Sequence, residues 1–175
     1  MTENKRLISL DALRGFTIAA MILVNYPGSW SHVFPPLLHA EWNGLTPTDL
    51  IFPFFIFIVG ISVALAYTKR LNAGVPKMPM YRKILFRSLK IFAVGVLLWL
   101  FPKFDFEHVR FAGVLQRIAI VFLFSALLFL NTKWKTQAIV AAVLLVGYWL
   151  AMVLIPTPGQ GQAMLEPGLN LAAWV

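Results

Sequence analysis

Apolar residues gather into five long runs in this chain, at 7–24, 50–67, 84–101, 112–130 and 137–155, and polar residues fall mostly between them. Each run has roughly the 20 residues a helix needs to cross a bilayer core. None shows the alternating ten-residue pattern of a membrane β-barrel. The pattern predicts an all-α, polytopic transmembrane helix bundle of about five spans, with 1–175 as a single transmembrane helical domain. The first run carries Asp11 and Arg14 and has no A-x-A cleavage site, so it reads as a retained span and not as a signal peptide. The sequence closes on a fresh apolar run from Leu171 to Val175, which predicts a truncated chain belonging to a larger bundle.

Composition agrees with the pattern. Hydrophobic residues make up 59% of the 175 and charged residues 13%, against about 45–50% and 25% in soluble domains. Mean hydropathy is +0.77. A soluble domain of this size could not bury so much apolar surface, and disorder requires low hydrophobicity. The chain has no cysteine, which removes disulfides, thiolate nucleophiles and cysteine-based metal sites.

The net charge of +8 changes the picture through its distribution. Lys5 and Arg6 precede the first run. Lys69, Arg70, Lys77, Arg82, Lys83, Arg87 and Lys90 lie between the second run and the first part of the third. Lys133 and Lys135 separate the fourth and fifth. The 25-residue segment 25–49 holds no lysine or arginine, nor does the stretch after Ile155, while the 101–111 segment mixes Lys103 and Arg110 with Asp105 and Glu107. This alternation follows the positive-inside rule with the N-terminus inside and the C-terminus outside. The basic residues are therefore a topology signal. No basic patch is interleaved with stacking aromatics, so nucleic acid is not an expected partner. The expected partner is the lipid bilayer, and a homo-oligomer is compatible with the pattern.

Candidate chemistry concentrates in three places. Asp11 and Arg14, three residues apart in the first run, share a helix face and can pair. The pair serves either as a structural ion pair or, through Arg14, as a contact for an anionic group. The 25–49 segment collects Asn25, His32, His39, Glu41, Trp42, Asn43, Thr46 and Asp49. Loops of this length are uncommon unless functional. Thr46, Pro47 and Asp49 also read as the cap, first position and acidic first turn of a helix. Pro53 is expected to kink the second span. His39 is the candidate general base, with Glu41 or Asp49 to orient it. The alternative is a solvated loop histidine. His39 and Glu41 form an H-x-E pair, but the cysteines a zinc deaminase needs are absent, and His32 and His39 lack ligand spacing, so no metal is expected. The fourth run opens with Gly113, Gln116 and Arg117. Arg117 either snorkels to the interface or faces the interior as an anion contact.

These residues resemble a known family. Asp11-x-x-Arg14-Gly15, Val24-Asn25, the stretch His39-Ala-x-Trp42-Asn43-Gly44-Leu-Thr46-x-x-Asp49-Leu-x-Phe52-Pro53 running on to Gly60, and Gly113-Val-Leu-Gln116-Arg117 are similar to the heparan-alpha-glucosaminide N-acetyltransferase family. The opening D-x-x-R-G is shared with other membrane acyltransferases. The resemblance runs from about Arg6 to Arg117, and the segment between Asn25 and His39 is longer here than in the family. It implies transfer of an acetyl group from acetyl-CoA, as co-substrate, to a terminal glucosamine amine or other amino-sugar or glycan acceptor on the far side of the membrane. It puts the catalytic role on His39, with Asn25 and Asp49. Trp42, Asn43 and Glu41 become candidates for the acceptor, and Arg14, Arg117 and Gln116 for acetyl-CoA. His39 would act as general base or as acetyl relay. Family members carry about twice as many spans, so the chain is expected to cover about the N-terminal half. The short N-terminus points to a bacterial inner membrane with the His39 loop facing the periplasm. An amino-sugar permease, an O-acyltransferase acting on a cell-surface polysaccharide and a non-catalytic scaffold remain alternatives.

Overall fold

The computed structural model of the chain describes residues 7–101, 113–159 and 161–174. Lys5, Arg6, Lys103, Asp105, Glu107 and Arg110 lie outside them. The described residues form helices and no strand: α1 (Ile8–Asn25), a 3-10 turn (Pro35–Leu37), α2 (Pro47–Asn72), α3 (Lys77–Leu100), α4 (Val114–Asn131), α5 (Trp134–Leu154) and α6 (Leu171–Trp174). The chain divides into two compact units, Met1–Leu130 and Asn131–Val175.

Helices extend beyond the apolar runs wherever a helix-compatible polar turn adjoins them. α2 starts three residues before its run, because Thr46 caps it and Pro47 takes the first position, where a missing N–H costs nothing. It continues unbroken through Pro53 and past Tyr67, with Lys69 and Arg70 in its last turn, where cations suit the negative end of the helix dipole. α1, α2, α4 and α5 are long and apolar enough to cross a membrane. α3 differs from the expected third span, 84–101. Its first 14 residues carry Lys77, Arg82, Lys83, Arg87 and Lys90, so the charge-free stretch is only 91–100.

In the first unit α1 and α2 run antiparallel. Arg14 meets Ser62, while Val24 and Pro47 line one groove. The core belongs to α2, α3 and α4: Val63 and Tyr67 pack with Met80, Ile84, Phe122, Ala126 and Leu130. The Ser88 hydroxyl donates to the Ala119 carbonyl at 2.8 Å, joining α3 to α4. Gly95 lets the two helices close further. A Cβ there would stand 2.9 Å from the Leu115 Cβ and 2.8 Å from Gln116 Oε1. Outside this seam the helices present Phe16, Leu85, Phe86, Leu89 and Phe124 outward, the arrangement a hydrocarbon surrounding stabilises. In the second unit, α5 buries none of its residues.

The contact at Gly95 yields little because one of its two close neighbours, the Leu115 Cβ, is fixed to the α4 backbone, and the other, the Gln116 amide, is buried. Gly95→Ala is expected to destabilise the protein by about 1–3 kcal/mol through overpacking, read as a lowered melting temperature in detergent. Gly60→Ala, in open space on α2, is expected to melt at or slightly above wild type. Equal melting of the two variants would contradict the close α3–α4 approach.

Candidate active site

The 26–46 segment is held by the first turn of α2. The Thr48 hydroxyl, nearly buried, donates to the Pro36 carbonyl at 3.3 Å and so fastens the 3-10 turn. Asp49 does more. Its Oδ2 accepts the Thr46 backbone N–H at 2.9 Å, the Thr46 hydroxyl at 2.9 Å and the Ala40 N–H at 3.2 Å. Thr46 and Asp49 thereby form a capping box, which satisfies groups a helix start leaves orphaned. Gly44, at φ +136°, takes the left-handed backbone conformation that lets the chain turn between Ala40 and Thr46, where a side chain would be strained.

The other oxygen of Asp49 faces His39. His39 Nδ1 and Asp49 Oδ1 are 2.6 Å apart. An ionised carboxylate can only accept, so Nδ1 carries the proton and donates. Nε2 is then left with its lone pair. The His39 side chain is 72% exposed and that of Asp49 25%. The carboxylate is thus partly enclosed and fully engaged, and the imidazole projects from it. This is the geometry of a base held in one tautomer by an acid behind it. Pro53 adds a detail at the same point, since it has no N–H to give the Asp49 carbonyl four residues back.

Of the two carboxylates that the sequence offers to His39, the structure pairs Asp49 with it. Glu41, Trp42 and Asn43 are exposed, and among the described residues none of the three makes a hydrogen bond or ion pair. Asn25 ends α1, and its Nδ2 donates to the Met21 carbonyl at 2.8 Å. No hydrogen bond joins Asn25 to His39 among the described residues. His32 stands apart, with Nδ1 3.0 Å from the Ser31 hydroxyl. No three His, Asp or Glu side chains cluster as metal ligands among the described residues.

The residues assigned to acetyl-CoA separate. Arg14 Nη1 pairs with Asp11 Oδ1 at 3.1 Å. Its Nη2 donates to Ser62 Oγ at 2.8 Å, and Ser62 donates in turn to the Ile58 carbonyl at 2.8 Å. The ion pair therefore also ties α1 to α2. Arg117 is exposed at the start of α4. Gln116 is 2% exposed, with its amide oxygen against Gly95 and Gly113. It sits in helix packing and presents almost no surface to a ligand. Sequence reasoning missed a cluster near Arg14. Arg70, Lys83 and Arg87 line the same cavity as Arg14. A signal existed in the helical spacing of 67, 70 and of 83, 87, but the topology rule already explained those cations.

A family model described as heparan-alpha-glucosaminide N-acetyltransferase, catalytic, matches residues 6–167. Over 93% of its length the chain is 32% identical to the heparan-alpha-glucosaminide N-acetyltransferase of Homo sapiens, covering 28% of that protein. It is 35% identical to the Mus musculus enzyme of the same name over 73% of its length, covering 20% of that protein. The chain therefore spans about a quarter of the length of these curated relatives. The family match begins before α1 and ends beyond α5, and the chain belongs to the heparan-alpha-glucosaminide N-acetyltransferase catalytic family.

Proposed function

We propose that this chain carries the acceptor-side catalytic element of a transmembrane acetyltransferase, which moves the acetyl group of acetyl-CoA to the amine of a glucosamine-type sugar. The observation that supports this most directly is the 2.6 Å contact between His39 and Asp49, in a chain whose family is named for that transfer. His39 is the general base. An amino sugar near neutral pH is largely an ammonium ion and cannot attack. Nε2 of His39 takes one ammonium proton, and the freed lone pair adds to the thioester carbonyl. The new C–N bond forms as the carbonyl π electrons move to oxygen. Collapse of that oxyanion breaks the C–S bond and releases the CoA thiolate, which takes up the second proton of the nitrogen as the neutral amide forms, and the proton held by His39 then passes to water. Asp49 holds the imidazole and stabilises its positive charge while the proton is on it. Holding base, amine and thioester together supplies the proximity such reactions require.

Asn25 keeps a second N–H on Nδ2 beyond the one given to Met21, and that hydrogen is the group to stabilise the oxyanion. Exposed Trp42, Asn43 and Glu41 form the acceptor surface. The 25–49 segment, free of lysine and arginine, faces the outer side, and the cationic turns around 69–90 face the inside. In a bacterium the outer side is the periplasm. Donor and base thus start on opposite faces.

Because His39 projects from its pair, removing its ring costs the fold little. In full-length protein in vesicles supplied with labelled acetyl-CoA and glucosamine, His39→Ala is expected to cut labelled N-acetylglucosamine by at least about 10²-fold with melting unchanged. Equal product from wild type and variant would contradict the assignment. Glucosamine uptake without acetyl-CoA consumption would indicate a permease.

Asp49→Asn keeps the shape and removes the charge. It is expected to lower kcat by about 10²-fold or more while KM changes little, since the carboxylate acts on a charge that develops during proton transfer. An unchanged kcat would leave Asp49 as a helix cap alone. Burst formation of acetylated His39 before any acceptor is added would replace direct transfer by an acetyl relay.

A further inference from the structure

Between α1 and the opening turns of α2 lies a groove of about 310 Å³. It follows α1 from Leu13 to Val24, about 16 Å of helix axis. The start of α2, from Pro47 to Phe54, forms the other wall, and Leu37 of the 3-10 turn borders it. It shares no lining residue with the cavity of Arg14, Arg70, Lys83 and Arg87. Among the described residues no charged side chain lines it. Its two hydroxyls are already engaged with backbone. Thr17 donates to the Leu13 carbonyl at 2.8 Å, and Thr48 donates to the Pro36 carbonyl. Phe16, Leu23 and Phe54 remain exposed along its walls.

Such a groove offers nothing to water or to a sugar ring, which would give up hydrogen bonds on entering. It suits hydrocarbon. Averaged over its length the space is about 20 Å² in cross-section. That admits an extended hydrocarbon chain, whereas the body of a helix is about 10–12 Å across. Its length matches the depth of one leaflet, half of a hydrocarbon core about 30 Å thick. Both helices that form it are long and apolar enough to cross a membrane, so its exposed side adjoins lipid.

Position supplies the remaining argument. Leu37 lies two residues before His39, and Thr48 immediately precedes Asp49. The groove therefore ends at the segment that carries the base. We infer that it holds the hydrocarbon tail of the acceptor, and that the acceptor is an amino sugar borne on a lipid. The tail lies between α1 and α2, and the sugar at its head meets His39. This inference rests on the transfer reading above and names its acceptor class. Anchoring the tail raises the effective concentration of the amine beside the base.

The test uses full-length protein in phosphatidylcholine nanodiscs with labelled acetyl-CoA. The acceptors are methyl and dodecyl glucosaminides, which share one amine and differ in the tail. Wild type is expected to acetylate the dodecyl compound with a kcat/KM higher by about tenfold or more. Ala20 lines the groove and is half-buried, so Ala20→Phe fills it. That variant is expected to lose the preference for the dodecyl tail and to acetylate the methyl compound like wild type. Leu23→Trp, on an exposed groove side chain, carries the same comparison if Ala20→Phe melts early. Wild type without the preference would overturn the inference. So would variants that melt like wild type and keep it, since partition into the bilayer would then account for the gain. A dodecyl glucosaminide with a diazirine at the end of its tail reads occupancy apart from transfer. Mass spectrometry is expected to find its label on α1 and α2 residues of the groove in wild type and not in Ala20→Phe. Labelling there in a protein that acetylates neither compound would keep the groove as a lipid site and retire the transfer reading. Transfer to both compounds alike with no label in the groove would do the reverse.

Discussion

The Asp49 carboxylate organises everything around His39. It is the third residue of α2, so its position is set by the helix start. One oxygen takes the backbone and hydroxyl of Thr46 and the N–H of Ala40; the other takes His39. The same group therefore caps the helix, closes the loop before it and fixes the imidazole tautomer. Each contact alone contributes about 1–3 kcal/mol at most. Together they make the orientation of the imidazole depend on folding, because the ring cannot be fixed until the helix that holds it has begun. Gly44 and Thr48 support the arrangement from either side, one by permitting the turn and the other by holding the Pro36 carbonyl.

α2 connects this site to the rest of the first unit. Its opening turn holds His39, its middle meets Arg14 through Ser62, and its later turns supply Val63 and Tyr67 to the core shared with α3 and α4. Most large apolar side chains lie outside that core. In water such a surface would drive aggregation. In a bilayer it faces hydrocarbon, and helix association rests on close packing and interhelical hydrogen bonds. Gly95 and the Ser88–Ala119 bond are the two places where α3 and α4 show this directly.

Helices were the most legible feature, since long apolar runs without charge have few other solutions. Their ends were less so. Lys77 to Lys83 is polar enough to read as loop, yet it forms the first turns of α3, with Pro79 in the first turn, where its missing N–H has no intrahelical partner to lose. His39 and its neighbouring carboxylates were visible, but the choice of Asp49 over Glu41 depends on a turn at Gly44 that spacing does not reveal. Gln116 misled because a polar residue within an apolar run reads as functional. The slot that receives it is made by Gly95, 21 positions away in sequence. The cationic cavity was hidden for the opposite reason: its residues were already accounted for by topology, and only folding shows that they converge.

The central claim is that His39 and Asp49 work as one unit. A double-mutant cycle on full-length protein, measuring acetyl transfer to glucosamine for wild type, His39→Ala, Asp49→Asn and the double variant, addresses it most directly. Groups that act together lose their effect together. The double variant should then retain the same residual transfer as His39→Ala alone. Losses that multiply, with the double variant slower than His39→Ala by the full factor that Asp49→Asn costs alone, would mean the two residues act independently and would contradict the account.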